Sequence, residues 1–277
     1  MKVYHILTQY FWTIIFVLHW NLITPQSDSK DLLLTVEEKA TLDEFKSQVI
    51  PILPEDYMKS DFYLVRWLRA RAFDIPAAKT MLLDTMKWRK ANRIKSIMKE
   101  NWSDMAIDFP VTFGSFDKVG RPVVTLEMGD WDFQAAVVTG KAQILNRYLT
   151  YIIERYVQSV FKAQAAGKNV TRVVTLVDVE GFNLRKHSCP QCISIMVRWT
   201  ATTESYYPQF VKDTVIINAP TLIQVPLNAV KPFMGRETRE QLHVFGTNKE
   251  QWMSFLDERI DRNQRTARYG GTKLKVE

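Results

Sequence analysis

The 277-residue chain has only two cysteines and four histidines. Two cysteines cannot build a disulfide framework, and their placement as Cys189-Pro190-Gln191-Cys192 is the one cysteine pattern to explain. Zinc would need two more ligands, and since His5 and His19 sit in the first residues, only His187 and His243 could supply them. A thioredoxin-like site places C-x-x-C at a helix start after a strand, which this context partly meets. The motif is weak by itself, and the pair reads as two incidental thiols rather than a redox centre. Ten Gly and eleven Pro exclude a collagen-like or linker-dominated chain. No apolar run reaches the ~20 residues of a confident transmembrane span. There is no G-x-S-x-G elbow, no H-E-x-x-H and no G-x-G-x-x-G after a strand, and Gly140-Lys141 is followed by Ala142 rather than Ser or Thr. These absences turn the reading from an enzyme towards a binding protein.

What is present is a globular composition. Hydrophobic residues make up 46% and charged residues 24%, so the chain is neither disordered nor a polytopic membrane protein. Fifteen Phe, ten Tyr, eight Trp and ten Met give a bulky core that suits an enclosed apolar cavity, although large ordinary cores look the same. The net charge is +7, and it is concentrated: from Lys59 to Lys99 eleven cations, among them Arg66, Arg69 and Arg71, face three acids. Such a lobe points to an anionic partner. A membrane surface attracts it by ~1 kcal/mol per nearby cation, a nucleic acid would do so through its phosphates, and a solvated helical face is the plainer alternative.

Residues 1–29 differ from the rest. Lys2 gives a positive start, Tyr10 to Leu18 is apolar except for Thr13, and a polar stretch with Ser27 and Ser29 follows, which together resemble a signal peptide. Beyond it, Thr35-Val36-Glu37-Glu38 is a capping box that opens a helix carrying Leu42, Phe45 and Val49, broken by Pro51 and Pro54. A second helix from Asp61 buries Leu64, Val65 and Leu68, with the three arginines decorating the rest. A third, capped by Asp74, runs to Trp88. Residues 34–100 thus form an all-helical module.

From residue 101 to 272 the period changes. Phe113 to Phe116 and Pro122 to Met128 read as two strands joined through Asp117-Lys118-Val119-Gly120. Lys141 to Ala166 is a long helix closed by Gly167. Arg172 to Asp178 and Asp213 to Asn218 are apolar strands with a helical stretch, Gln191 to Ser205, between them, which gives an α/β lobe with a partly parallel sheet. Most informative is Thr221 to Met234, a presumed helix with Leu222, Ile223, Val225, Leu227, Val230, Phe233 and Met234 on nearly every side. Exposing half of these would cost several kcal/mol at ~1.5–3 kcal/mol each. The segment is therefore either a buried core helix or one whose two faces meet a cavity inside and a bilayer outside.

Leu64-Val65-Arg66-Trp67-Leu68-Arg69-Ala70-Arg71-Ala72-Phe73-Asp74 and Trp88-Arg89-Lys90 resemble the helical module of the CRAL-TRIO lipid-transfer family. Asp117 to Val123, Val177 to Gly181, Tyr206-Tyr207-Pro208, Ile217 to Pro220, Lys231-Pro232-Phe233, Val244-Phe245-Gly246 and Tyr269 to Thr272 follow in that family's order. The resemblance covers Leu34 to Thr272. It is nearest the tocopherol-associated, supernatant-protein-factor branch, without that branch's C-terminal β-sandwich.

The resemblance implies a helical module followed by a mixed-sheet lobe whose helices enclose an apolar lipid pocket, shut by a mobile gate helix matching Thr221 to Met234. It implies Thr175 and Lys231 as headgroup contacts; Val173 replaces a hydroxyl residue of the family pattern, and in an ungapped reading Arg198 stands where the family has Glu. The expectation is a non-enzymatic protein that binds one hydrophobic lipid, either a phospholipid such as a phosphoinositide or a neutral isoprenoid such as tocopherol, and transfers it between membranes. No cofactor is expected beyond the lipid. The expected partner is a membrane surface, met transiently, not a nucleic acid, and the expected state is a monomer. The family is mostly cytosolic, so a cytoplasmic protein is expected, with the secretory pathway as the alternative if residues 1–29 act as a signal. The alternatives in function are a C-x-x-C redox protein and a basic nucleic-acid-binding module.

Overall fold

The computed structural model describes residues 33–274, and the leader at 1–29 lies outside them. The helical module is built from α1 (Val36–Val49), α2 (Asp61–Ala70) and α3 (Ile75–Ala91). Their starts follow from capping. Thr35 and Glu38 cap each other's backbone, Ser60 caps α2, and Asp74 caps α3 with Pro76 in the first turn. The apolar stripes of the three helices meet in one small core around Leu42, Phe45, Leu64, Trp67, Leu68 and Leu82.

Arg66 does not decorate that module's surface. It is only 3% exposed, its guanidinium donates to the carbonyls of Thr171 and Gln209, and it lies 3.9 Å from the centroid of the Phe210 ring. This corrects its reading as a membrane-facing cation: a charge between two stacked elements is retained there because carbonyl oxygens satisfy it. Arg66→Ala should cost about 3 kcal/mol of stability, since it strands two carbonyls, while Arg71→Ala at the exposed helix end should stay within about 0.5 kcal/mol. Urea midpoints of the two variants check this. Other cations of the basic stretch are also engaged: Lys59 with Asp56, Lys87 with Asp84, Lys95 with Glu55 and Arg89 with Glu154.

The lobe follows as α4 (Ser103–Asp108), β1 (Val111–Phe116), β2 (Pro122–Leu126), α5 (Phe133–Val138), α6 (Ala142–Ala165), β3 (Val173–Asp178), α7 (Leu184–His187), α8 (Pro190–Tyr206), β4 (Val211–Ile217), α9 (Gln224–Val230), α10 (Arg236–Glu240), β5 (Leu242–Val244) and α11 (Lys249–Arg259). The sheet order is β1-β2-β3-β4-β5, with β1 antiparallel to β2 and the remaining neighbours parallel. Parallel strands laid down in sequence order advance in one direction, so the right-handed crossover rule sends every crossover helix to the same face. Side chains of α6, α8 and α9 accordingly share one core with Val124, Leu126, Val173, Val177 and Ile216. The alternate strand residues, Val123, Val174, Leu176, Val215 and Ile217, point to the other face and pack on Trp252 and Leu256 of α11 and on Tyr269.

Arg89 and Glu154 pair at 2.6 Å, and the Tyr207 hydroxyl donates to the same carboxylate at 2.5 Å, which ties module to lobe through buried charge. Burial, with the Glu154 charge beside it, holds the Tyr207 phenol protonated far above its ordinary range. Trp88 stacks on Tyr206 with centroids 4.2 Å apart at the same junction.

The segment Thr221 to Met234 is not one helix. It is a 3₁₀ turn (Thr221–Ile223), α9 and a second 3₁₀ turn (Lys231–Phe233). Pro226 sits in the first turn of α9, where no N–H is needed, and Pro232 cannot continue it. Strand β5 and helix α11 are additions to the sequence reading. No helix among the described residues is long and apolar enough to cross a membrane.

Candidate lipid-binding cavity

A cavity of about 740 Å³ lies between the sheet and the helices on its crossover face. The floor is made by Leu126 of β2, Thr175 and Val177 of β3, Thr214 and Ile216 of β4, and Leu242 of β5. These are alternate residues, so strand periodicity alone selects them. The roof comes from α8, where Met196, Trp199, Thr200, Thr203 and Glu204 recur at helical spacing, and from Tyr207 just past its end. Ile223, Pro226, Leu227 and Val230 of the α9 segment, with Met234, close the side.

The parallel strands give the cavity an axis. At the strand N-termini its wall is polar, with Arg172, Gln209, Glu237, Glu240 and Gln241, joined by Arg69 and Arg71 of the helical module and Arg236. The middle is apolar apart from threonines, and the far end beyond β3 holds Val179, Phe182 and His187. From Arg172 to Val179 the chain extends about 23 Å at ~3.3 Å per residue. Such a space can enclose an elongated apolar molecule with a polar end at the Arg172 side. That end is ordered by Arg172, which pairs with Glu237, while Gln209 and Gln241 donate amide protons to the same carboxylate at 2.9 and 3.0 Å. Burial works to raise the Glu237 pKa, but the Arg172 charge and the hydrogen bonds from Arg172 and Gln241 outweigh it and hold the carboxyl below its ordinary range.

The α9 segment is two-sided. Ile223, Leu227 and Val230 are 6%, 7% and 6% exposed, whereas Leu222, Val225 and Phe233 are 52%, 48% and 48% exposed. Met234 lies in the cavity wall.

Among the headgroup residues expected from the sequence, Thr175 is in the floor, and Arg198 and Lys231 are outside the walls. Arg198 is exposed, two positions past Met196 on α8, so helical spacing turns it away from the cavity that Met196, Trp199 and Thr200 face. Its assignment as a headgroup ligand is corrected accordingly. Lys231 follows Val230 directly and is half-buried at the edge, where its carbonyl accepts from Arg239 at 3.5 Å. Arg69 and Arg71 line the polar end rather than standing apart on a distant face.

Thr214 was missed by sequence reading. It pairs in register with Thr175, whose hydroxyl donates to Thr214 Oγ1 at 3.0 Å, so the floor carries a hydroxyl pair although Val173 supplies none. The signal was the alignment of two parallel strands, which no local motif reports.

Cys189 and Cys192 are joined to each other, which corrects their reading as two separate thiols. The bridge spans the first turn of α8, where Cys189 also caps the Cys192 N–H. A loop this short contributes about 2 kcal/mol in the chain-entropy model. Cys189→Ala together with Cys192→Ala should lower the melting temperature by several degrees and leave ligand binding unchanged, as thermal scans and a binding titration would show. No group of His, Cys, Asp and Glu among the described residues could hold a metal ion.

A mixed sheet whose crossover helices all lie on one face and stand off to leave a long apolar cavity defines a container for an elongated hydrophobic molecule. The chain belongs to the CRAL/TRIO domain family, whose model matches residues 108–271. It is 31% identical over 186 residues to "Protein real-time" of Anopheles gambiae, covering 66% of this chain and 27% of that protein. It is 28% identical over 221 residues to "SEC14 cytosolic factor" of Yarrowia lipolytica, covering 78% of this chain and 44% of that protein. The chain therefore spans less than half the length of these curated relatives. Among solved structures, that of Sfh5 superposes with a TM-score of 0.64 at 16% identity, covering 92% of this chain and 91% of that one, which shows a shared fold.

Proposed function

We propose that this protein binds a single lipid in the cavity and carries it between membranes, without catalysing a reaction, and that the α9 segment is the gate. The observation that carries the reading is the two-sidedness of that segment. One apolar face walls the cavity, and the other presents Leu222, Val225 and Phe233 to the outside. An exposed apolar row on the same element that seals an apolar cavity is explained if that row enters a bilayer when the seal opens. Membership of the CRAL/TRIO family and kinship to a SEC14 cytosolic factor support it, and kinship to the tocopherol-associated branch is part of the proposal. The protein acts as a monomer in the cytoplasm and meets membranes transiently. Thr175, with Thr214 beside it, holds the polar part of the ligand, and Lys231 reaches it from the gate's end.

Arg71, Arg236 and Arg239 are exposed near that end. Vesicle-to-vesicle transfer should therefore accelerate when acceptor vesicles contain anionic lipid and slow as added salt screens charge beyond ~8 Å. Transfer indifferent to anionic lipid, combined with tight and steeply salt-dependent oligonucleotide binding, would favour the nucleic-acid alternative instead.

A further inference from the structure

Glu204 stands in the cavity wall near the end of α8, one turn beyond Thr200 on the face that Met196 also presents. Three acids line this cavity, and two are neutralised: Glu237 pairs with Arg172, and Glu240 with Arg236. Glu204 has neither an ion pair nor a side-chain hydrogen bond among the described residues. Its place is nevertheless defined. One carboxylate oxygen lies 2.9 Å from where a Cβ on Gly235 would stand, so the carboxyl group rests against the backbone where the α9 segment passes into α10. A larger residue at 235 would push it aside. The group is also within reach of a ligand, because Glu204 is partly exposed and its oxygens are not among the sealed polar atoms of the described residues.

Arg71, just past the end of α2, is the counterpart. It lines the same polar end, is exposed, and donates to the adjacent Ala70 carbonyl at 3.0 Å, and no carboxylate among the described residues pairs with it. An acid and a base that line one end of a cavity without meeting each other complement a dipolar group. An anionic head would suit Arg71 and be repelled by Glu204. A cationic head would do the reverse, and a plain hydroxyl would leave Arg71 unused.

The geometry points to a zwitterionic phospholipid head with a primary ammonium, as in phosphatidylethanolamine, whose ammonium donates to Glu204 while its phosphate accepts from Arg71. The ammonium is primary because a carboxylate acceptor needs N–H donors, and a trimethylammonium has none. The ester oxygens then fall near Thr175 and Thr214, where Thr175 donates to Thr214 and the Thr214 hydroxyl proton is uncommitted among the described residues. The acyl chains run on along the sheet. The proposal rests on the lipid-cavity reading and narrows it to one class of headgroup.

The probes are phosphatidylethanolamine, its N-methyl and N,N-dimethyl derivatives and phosphatidylcholine, all with the same acyl chains. Each amine is offered to the full chain from vesicles that also contain phosphatidylcholine and diacylglycerol, and bound lipid is extracted and quantified by mass spectrometry. Relative to vesicle composition, wild type should take up phosphatidylethanolamine about tenfold over phosphatidylcholine, the margin of one charge-assisted hydrogen bond, with the methylated lipids in order between them. Glu204→Gln, which keeps the shape and removes the charge, should erase most of that preference without lowering the melting temperature, since no protein group loses a partner. Arg71→Gln should cut uptake of both phospholipids equally against diacylglycerol and leave their ratio unchanged. If Glu204→Gln fails to fold, the methylation series in wild type still decides, and uptake independent of methyl number would overturn the site. A preference that survives intact in Glu204→Gln would overturn it too. Wild type that favours a phospholipid without an ammonium, or a neutral lipid, would overturn it while leaving the lipid-cavity reading intact. Wild type that binds no lipid of any kind removes both.

Discussion

Phe233→Asp should stop lipid transfer while leaving the protein folded, and Leu227→Asp should unfold it. Phe233 is half-exposed on the outer side of the α9 segment, so a carboxylate there stays hydrated and the melting temperature should move by no more than about 2 °C. Docking is another matter. The bilayer would lose an aromatic side chain worth ~1.5–3 kcal/mol and would have to accept a charge, which predicts a fall in transfer rate well beyond tenfold. Leu227 is 7% exposed and faces the cavity. An unpaired carboxylate there costs several kcal/mol, a drop of about 10 °C or more for a domain of this size. Vesicle transfer and thermal unfolding measured side by side distinguish the two. If both variants unfold, the segment is an ordinary core element and not a gate.

Filling the middle of the cavity should abolish binding without unfolding. Val177 and Ile216 stand in its floor, and in a solid core replacing both with Trp would overpack and destabilise by several kcal/mol. Over an existing void the added rings enter space that is already there. Val177→Trp combined with Ile216→Trp should hold the melting temperature near that of wild type and cut bound lipid per chain by about tenfold or more. A large loss of stability with unchanged lipid content would mean that the void is not where the ligand sits.

Much of the architecture was legible in the sequence because it is written in local patterns. The span expected for β3, Arg172 to Asp178, begins one residue before the strand, and the helix expected from Gln191 to Ser205 is α8 with one more residue at each end. Capping residues marked α1 and α3 correctly. The three-residue β5 was too short to carry a period, and it exists because β4 offers it an edge. What failed was orientation. A segment apolar on every side has no period to say which face turns inward, so the opposed roles of Leu227 and Phe233 needed the fold. Arg66 looked like surface charge because its acceptors, the carbonyls of Thr171 and Gln209, lie more than a hundred residues away. The case of Arg198 is similar: position in an ungapped alignment placed it at the ligand, and helical phase turns it to solvent. Thr214 and the unpaired carboxylate of Glu204 become visible only when neighbouring strands and the facing segment are in place.

The most direct test of the central claim is to purify the native protein under conditions that do not unfold it, extract it with organic solvent and identify by mass spectrometry what it carried. The account predicts close to one lipid per chain, lost in the Val177→Trp, Ile216→Trp double variant and exchangeable with vesicles in the wild type. A protein that yields no lipid and takes none up from vesicles, while remaining folded, would contradict it.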